Sequence, residues 1–237
     1  KGRMEEPENI VSVLEQFFAT GNDLDKKKIM ITAGPTYERI DPVRFIGNFS
    51  SGKMGFALAE ECASRGAEVI LITGPTALSA SHPNILRVNV ESAVEMYDAA
   101  LKIFPQMDAA ILSAAVADYR PEEMSEEKIK RSGNEHLSLS LVPNPDIAAS
   151  LGKIKKPGQL SIGFALETND EESNAIKKIE EKNFDYIVLN SLNDRGAGFG
   201  HDTNQVTILS RDGEKQSFLL KSKKEVAKDI IDTVFGN

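Results

Sequence analysis

Cysteine, histidine and tryptophan are scarce in this 237-residue chain, which has one cysteine, three histidines and no tryptophan. With Cys62 as its one cysteine, the chain cannot form an internal disulfide, and this favours a reducing, cytoplasmic location. Cys62 falls on the apolar face of a predicted helix, so we expect it in the core. The histidines at positions 82, 136 and 201 show no ligand spacing. The sequence therefore predicts no structural metal site and leaves catalytic metal ligands unknown.

Long apolar runs and an excess of basic residues are also missing. No apolar segment approaches the roughly 20 residues of a membrane span, and no secretory signal is visible, so we expect no membrane association. The 28 basic residues are outnumbered by 36 acidic residues, for a net charge of −8. This charge argues against general binding to nucleic acid. An anionic substrate would have to be held by local lysines, backbone N–H groups and metal.

Short apolar segments alternate with helical patterns along most of the chain. We predict strands at residues 28–32, 68–72, 108–113, 160–164 and 186–189, and a hairpin from residues 205–210 and 216–220. The alternation predicts an α/β fold: a Rossmann-like, doubly wound, mainly parallel sheet with helices on both faces and a C-terminal antiparallel hairpin. Ligands of such sheets bind beyond the carboxyl ends of the strands. That rule nominates the loops after Thr32, Ile72, Ser113, Phe164 and Asn190.

Several helix starts are marked by capping residues. A Ser or Thr with Glu three residues later predicts starts at Ser92 with Glu95, Thr168 with Glu171, and Ser222 with Glu225. A further helix is predicted with Asn144 as its N-cap, Pro145 at the first position and Gly152 at its end.

The chain is expected to divide into a short leader and one main domain. Residues 5–18 have the pattern of a short amphipathic helix and residues 19–28 that of a linker, so residues 1–28 form one unit. Residues 29–237 form the main domain. Because the chain begins at Lys1 without methionine, we expect it to be a fragment of a longer protein.

Residues 47–55, GNFSSGKMG, nearly match the nucleotide-triphosphate loop G-x-x-x-x-G-K-[ST]. Met54 replaces the hydroxyl residue that would hold Mg²⁺, and no core strand comes directly before Gly47. A dinucleotide-binding G-x-G-x-x-G is absent after the first strand. The plain interpretation is a glycine-rich turn that merely starts a helix. Against it stands the density of small polar residues at this helix start, where backbone N–H groups and the helix dipole favour an anion.

Three other segments carry candidate chemistry. The strand ending at Ser113 runs into residues 114–121, AAVADYRP, whose small side chains would let a flat ligand approach. The polar residues 120–134, which include Lys128, have the composition of a lid, a partner contact or a disordered loop. Lys178 and Lys182 lie one helical turn apart, which suits either a solvent face or an anion.

Five motifs occur in order between about residues 29 and 235: GPT, DPVRFIGNFSSGKMG, AAVADYRP followed by EKIK, NPDI, and GFALETN. Together they resemble the phosphopantothenoylcysteine synthetase (phosphopantothenate–cysteine ligase) family of coenzyme A biosynthesis. Residues 2–8 resemble the tail of the decarboxylase that precedes this domain in bifunctional bacterial proteins. The resemblance implies a ligase that joins 4′-phosphopantothenate to cysteine. CTP would first activate the carboxylate as an acyl-cytidylate with release of pyrophosphate, and the amine of cysteine would then displace CMP.

The resemblance also implies roles for individual residues. Lys128 would act in forming the acyl-cytidylate, and Asn48 would act in its use, with Ser50 and Ser51 beside it at the substrate. The implied CTP contacts are Ser113, Ala114, Asp118, Lys128, Pro145, Asp146, Ile147, Ala148, Phe164, Lys178 and Lys182.

The family further implies Mg²⁺, with CTP as co-substrate, and a homodimer. Residues 137–141 and the terminal hairpin are candidates for the dimer contact. A different class remains as an alternative: an NAD(P)- or flavin-binding protein on the same sheet, or a nucleotide sensor without turnover.

Overall fold

The structure, a computed structural model, describes residues 6, 7, 9, 11, 22–131, 133, 136–167, 171–191 and 201–236. The predicted helix over residues 5–18 falls outside the described residues except at four isolated positions. The predicted cap at Thr168 lies outside them as well.

The strands within the described residues are numbered in chain order. They are β1 Lys28–Ala33, β2 Tyr37–Arg39, β3 Phe45–Gly47, β4 Glu68–Thr73, β5 Ile85–Asn89, β6 Ala109–Leu112, β7 Tyr119–Pro121, β8 Leu141–Pro143, β9 Leu160–Glu167, β10 Tyr186–Ser191, β11 Thr203–Asn204, β12 Val206–Ser210, β13 Lys215–Ser217 and β14 Lys221–Ser222. The α-helices in the same part of the chain are α1 Lys53–Ser64, α2 Ala93–Ile103, α3 Ile147–Ile154, α4 Glu171–Lys182 and α5 Lys223–Phe235.

Eight strands form the central sheet in the order β13-β12-β10-β9-β6-β1-β4-β5. From β10 to β5 all neighbouring strands are parallel. Numbered among themselves, these six strands have the order 3-2-1-4-5-6 of a doubly wound dinucleotide-binding sheet, which reverses between β1 and β6. β12 and β13 extend the sheet in antiparallel pairing. The predicted fold class is confirmed.

Alternating residues of each strand face different helix layers, as the two-residue period of a strand requires. Ile29, Ile31 and Ala33 of β1 pack in a cluster with α1 and α5. Met30, between them, packs in a second cluster with α2 and α3. A third cluster joins α4 to β9 and β10. Cys62 is fully buried in the first cluster, which confirms that it is a core residue.

The start and end predicted for α3 are wrong. The N-cap is Asp146, whose carboxylate accepts from the Ala149 N–H at 2.9 Å, and not Asn144. Asn144 instead donates from Nδ2 to the Ala117 carbonyl at 2.9 Å. Gly152 lies inside the helix. A Cβ there would be 2.2 Å from the Lys182 carbonyl oxygen, so this glycine permits close packing of α3 on α4.

The sequence interpretation missed β5 and three two-stranded sheets. β5 is an edge strand with mostly half-exposed side chains, so its apolar signal is weak. The pairs β2–β3, β7–β8 and β11–β14 consist of strands of two or three residues. The predicted C-terminal hairpin is confirmed, but its second strand is only Lys215–Ser217.

Candidate functional site

The candidate site lies at the carboxyl ends of β1 and β6, where the strand order reverses. The loops after these two strands run side by side. The Ala115 N–H donates to the Gly34 carbonyl at 2.9 Å, and the Thr36 N–H donates to the Ala115 carbonyl at 3.3 Å. The two loops thus form a continuous floor at the switch point.

Two glycines let α1 begin directly against this floor. Gly52, the N-cap residue, has a φ of +82°, a conformation that favours glycine. A Cβ on Gly55 would lie 2.5 Å from the Ala33 Cβ and 2.7 Å from the Ser113 Oγ. The N-terminal end of α1, which carries partial positive charge, therefore lies close to the strand ends.

Residues 47–55 run from the last residue of β3 into the first turn of α1 and do not form a triphosphate loop on the central sheet. The strand before them, β3, pairs with β2 in a separate hairpin inserted between β1 and α1. The helix start that follows β1 in a doubly wound fold is retained, but the chain reaches it only after the hairpin. The near-match to the triphosphate loop arises from this helix start.

A first cavity, of about 150 Å³, lies at the start of α1. Its lining includes the predicted substrate residues Ser50 and Ser51 and the predicted nucleotide residue Ser113. The other lining residues are Gly52, Lys53, Met54, Gly55, Ala114, Ala115, Phe164, Ala165, Leu166, Asn190, Asn204 and Lys223. Small and polar groups thus surround the end of the helix.

Two lysines give the first cavity a positive wall. Lys223 is 8% exposed, and its Nζ donates to the His201 carbonyl at 2.6 Å. Burial lowers the pKa of Lys223, and the neighbouring charge of Lys53 lowers it further, while Asp202 opposes the shift. Lys53 forms an ion pair with Asp202 at 2.5 Å. Two ammonium groups on one wall, in a chain with a net charge of −8, suit an anionic ligand.

A second cavity, of about 330 Å³, shares Ala114 and Phe164 with the first. Most of the predicted nucleotide residues line it: Ala114, Asp118, Pro145, Asp146, Ile147, Ala148, Phe164, Lys178 and Lys182. The fold therefore brings together residues from β6, α3, β9 and α4 that are far apart in the sequence. Together, the two cavities extend along the carboxyl edge of the sheet.

An ion pair joins the two helices of the second cavity. The Lys182 ammonium at the end of α4 contacts the Asp146 carboxylate at the start of α3. Burial raises the pKa of Asp146, but hydrogen bonds from the Ala149 N–H and from Lys182 outweigh it and lower the pKa overall. Asp146 is thus held as a carboxylate that caps α3 and orients Lys182.

Asn48 is tied to the floor of the site. Its Nδ2 donates to the Ala115 carbonyl at 3.0 Å and to the Val116 carbonyl at 3.2 Å. Beside it, the Ser50 Oγ accepts from the Gly52 N–H at 3.3 Å. The β2–β3 hairpin is therefore fastened to the loop after β6 through the Asn48 amide.

Lys128 lies on the exposed loop between β7 and β8 and lines neither cavity. Its neighbour Ile129 is held by hydrogen bonds to Asp41 and Arg44 of the β2–β3 hairpin. Lys128 is thus the predicted nucleotide residue that the structure places outside the two cavities.

Sequence reasoning missed Asn190, Asn204 and Lys223, which all line the first cavity. Asn190 stands at a strand end that the binding rule for doubly wound sheets had already nominated. Lys223 directly follows the capping residue Ser222. The capping box accounts for the residue types at Ser222 and Glu225, but it does not predict that the side chain of Lys223 lines a cavity.

Within the described part of the chain, no group of three or more His, Cys, Asp or Glu side chains converges to hold a metal ion. The residues present therefore do not fit a metal held by protein ligands alone. None of the helices in the same residues is long and apolar enough to cross a membrane.

The model of one protein family, the DNA/pantothenate metabolism flavoprotein C-terminal domain, matches residues 24–236. The chain belongs to this family. The coenzyme A biosynthesis bifunctional protein CoaBC of Haemophilus influenzae is 46% identical over 99% of this chain, and that of Bacillus subtilis is 45% identical over 99%. A solved structure of the C-terminal domain of a CoaBC protein is 44% identical, covers 91% of this chain and 97% of its own, and superposes with a TM-score of 0.77.

Another relative has a different name. A prokaryotic cysteine/cysteine sulfinic acid decarboxylase is 52% identical over 98% of this chain and 65% of its own length. The match covers 58% of each CoaBC protein named above. The chain thus spans about three-fifths of the length of these relatives, whose names describe the longer proteins.

Proposed function

We propose that this domain is a CTP-dependent ligase that forms the amide bond between 4′-phosphopantothenate and cysteine. Membership of the DNA/pantothenate metabolism flavoprotein C-terminal domain family supports this proposal. The similarity to the C-terminal domain of a coenzyme A biosynthesis protein supports it as well. In the full-length protein, a decarboxylase domain would precede this one.

The observation that carries the proposal is the pair of cavities that meet at Ala114 and Phe164. A nucleoside triphosphate needs a site for a flat base and a second site for concentrated negative charge. The second cavity has backbone at the start of α3 and two lysines from α4, and the first has a helix N-terminus with Lys53 and Lys223. The reacting phosphorus would lie where the cavities join.

The base would lie against residues 145–148. A helix start offers backbone groups that can form hydrogen bonds with the edge of a base, and the Asp146 carboxylate holds that start rigid by capping it. Lys182, oriented by Asp146, would contact the phosphates from the α4 side. This assignment uses most of the residues that the family resemblance nominated.

The chemistry consists of two displacements. In the first, a carboxylate oxygen of 4′-phosphopantothenate bonds to the α-phosphorus of CTP, the bond to the β-phosphate oxygen breaks, and pyrophosphate leaves. In the second, the cysteine amine bonds to the acyl carbon, the acyl–phosphate C–O bond breaks, CMP leaves and the amine releases a proton. The protein contributes by holding the reacting groups together and stabilising negative charge.

Lys128 and Asn48 would serve different displacements. Lys128 would neutralise charge on the phosphates in the first step, with its exposed side chain extending toward the site from the loop between β7 and β8. Asn48 would place the acyl group for attack in the second step, because its amide already lies at the Ala115–Val116 floor. Ser50 and Ser51 would contact the same substrate.

Mg²⁺ would enter with CTP as part of the substrate complex. Mg²⁺ commonly keeps several waters and takes its other ligands from substrate phosphates and one or two carboxylates. Asp118, which lines the second cavity, would supply such a carboxylate. The ion thus requires no dedicated protein cage.

The working enzyme is proposed to be a cytoplasmic homodimer. Leu137 and Leu141 on the β7–β8 segment are 56% and 44% exposed, and Leu219 after the terminal hairpin is 79% exposed. Apolar side chains exposed at two places suit a subunit contact. These are the segments that the sequence nominated.

The test is pyrophosphate release from the purified chain. We expect release only when CTP and 4′-phosphopantothenate are both present, and amide product only after cysteine is added. ATP, NADPH and flavin serve as competing ligands. Tight binding of NADPH or flavin, with no pyrophosphate from CTP, would overturn the proposal in favour of a dinucleotide-binding protein.

A further inference from the structure

Asp41 lies where the β2–β3 hairpin meets the loop that carries Lys128. Its side chain is fully buried, with 0% of its surface exposed. One carboxylate oxygen accepts from the Val43 and Arg44 N–H groups at 2.8 Å each, which closes the turn of the hairpin. The other oxygen accepts from the Ile129 N–H at 3.1 Å. A single buried carboxylate thus serves its own turn and a distant loop.

Arg44 completes this contact from the other side. Its guanidinium pairs with the Asp41 carboxylate and also donates to the Ile129 carbonyl at 2.8 Å. Both polar groups of the Ile129 backbone are therefore bound by the Asp41–Arg44 pair. The hydrogen bond from Arg44 holds the pKa of Asp41 well below its usual range, so the contact stays charged at neutral pH.

We propose that Asp41 is a positioning residue for Lys128. The proposal rests on the function proposed above for the loop lysine. Adjacent Cα atoms are about 3.8 Å apart, so fixing the backbone of Ile129 also restricts the position of the Lys128 Cα, from which the lysine side chain extends. The contact leaves the Lys128 side chain exposed while restricting the region over which it can move.

The hydrogen bonds separate this role from that of an ordinary turn residue. The two bonds within the hairpin are sufficient to form an Asx-type turn. The two bonds to Ile129 span more than eighty positions of sequence and add nothing to the turn. The hairpin also leads through β3 to Asn48, which is bound to the site floor. One hairpin thus carries Asn48 and holds Lys128, linking the residues proposed for the two displacements.

The first experiment compares Asp41→Asn with Glu38→Gln. Asparagine keeps an oxygen for the turn but can present an N–H₂ group to Ile129 and Arg44, which are donors themselves. Glu38 is a matched control: it is a buried carboxylate on the same hairpin, and it accepts from the Ala93 N–H of α2 at 3.0 Å. It therefore tests the effect of neutralising a buried acid away from the loop.

In Asp41→Asn we expect amide exchange over residues 125–131 to accelerate at least about tenfold, since a hydrogen bond to a charged group is lost. Pyrophosphate release should fall at least about tenfold, because small displacements of a catalytic group are costly. CTP affinity, measured by titration calorimetry, should change less than about twofold because the two cavities are intact. Glu38→Gln should leave all three unchanged. A purely structural defect would instead lower CTP affinity and activity together, and it would overturn the proposal.

A second variant keeps the test decisive if Asp41→Asn does not fold. Ile129→Pro removes the loop N–H that Asp41 accepts, while Asp41 and its turn remain. The proline ring also restrains the backbone of residues 128 and 129, so Lys130→Pro controls for such restraint one residue further on. We expect Ile129→Pro to lower pyrophosphate release and Lys130→Pro to have a much smaller effect. Equal activity of the two proline variants, or wild-type release by Asp41→Asn with a loosened loop, would refute the positioning role.

The two proposals fail in different ways. If the wild-type chain releases no pyrophosphate from CTP and 4′-phosphopantothenate, the proposed function is wrong. If it does so and Asp41→Asn does so equally well, the function stands and the positioning role does not.

Discussion

Lys223 and Lys128 are two lysines proposed to face the same negative charge from opposite settings. Lys223 is buried in the wall of the first cavity, with its ammonium held by the His201 carbonyl. Lys128 is exposed on a loop that Asp41 and Arg44 fix one residue away. A buried lysine loses hydration in the free enzyme, whereas an exposed one loses it only when it reaches the ligand. The first is preorganised for binding, and the second can act later, during chemistry.

The largest expected effect comes from Lys128→Ala. Removing a charge that stabilises the reacting phosphates should lower pyrophosphate release at least about 100-fold. Because Lys128 is exposed, the thermal unfolding midpoint should stay within about 1 °C. Rapid-quench measurement of pyrophosphate tests the rate, and circular dichroism tests the fold. Wild-type release would show that Lys223 and its neighbours suffice without the loop lysine.

Asn48→Asp should act on the second displacement. The new carboxylate would face the Ala115 and Val116 carbonyls to which the amide now donates. A carboxylate cannot donate, so both hydrogen bonds to the site floor would be lost. We expect amide formation to fall about ten- to 100-fold while pyrophosphate release continues, so that the acyl-cytidylate accumulates. Mass spectrometry of quenched reactions detects that intermediate. Amide yield equal to wild type would exclude this role for Asn48.

Lys223→Met tests the buried member of the comparison. Loss of a charge-assisted contact should weaken CTP binding about tenfold. The lowered pKa of Lys223 in the folded state means that burial of its charge opposes folding, whereas its hydrogen bond to the His201 carbonyl favours folding. Because methionine removes both effects, the unfolding midpoint should stay close to that of the wild type.

The neighbouring exposed residue offers a control for Lys223. Lys224→Met removes the same charge one position away and should change neither CTP affinity nor the unfolding midpoint measurably. Weaker binding together with lower stability in Lys223→Met would mean that Lys223 is a structural residue.

The smallest expected effect concerns the core beneath α1. Burial raises the pKa of the Cys62 thiol, so the reactive thiolate is suppressed as well as inaccessible. A thiol reagent such as DTNB should not modify the folded chain over an hour and should modify it at once in denaturant. Rapid labelling of the native protein would show that the core around Cys62 opens in the folded state. The wall of the first cavity next to α1 would then not be rigid, and the comparison between a rigid wall and an exposed loop would fail.

The elements that could be predicted from the sequence are those whose signal is local. Buried strands such as β1 and β4 are continuous apolar runs, and capping residues such as Ser92 and Ser222 mark helix starts where the structure has them. The short strands of β2–β3 and β7–β8 carry no such signal, because their pairing depends on contacts with distant segments. Likewise, Asn144 and Asp146 are both good caps, but the Asn144 side chain is bound to the distant Ala117 carbonyl and Asp146 caps the helix.

The site shows the same division. Residues 145–148, Lys178 and Lys182 were nominated by resemblance, and the fold gathers them around one cavity. Asn204 and Lys223 belong to the far end of the chain and meet α1 only through the packing of α5 on α1. No periodicity or spacing in the sequence predicts that Asn204 and Lys223 lie next to α1. The roles of the gathered residues stay predictions until variants are measured.

Gly152 does not line the second cavity but lies between two of the helices that form it, α3 and α4. Because a Cβ at this position would come within 2.2 Å of the Lys182 carbonyl, α3 and α4 can approach as closely as they do only if residue 152 has no side chain. Residues 145–148 lie at the start of α3 and Lys182 at the end of α4, so two sides of the second cavity depend on this close approach. A side chain at residue 152 would therefore move α3 away from α4 and change the second cavity without entering it.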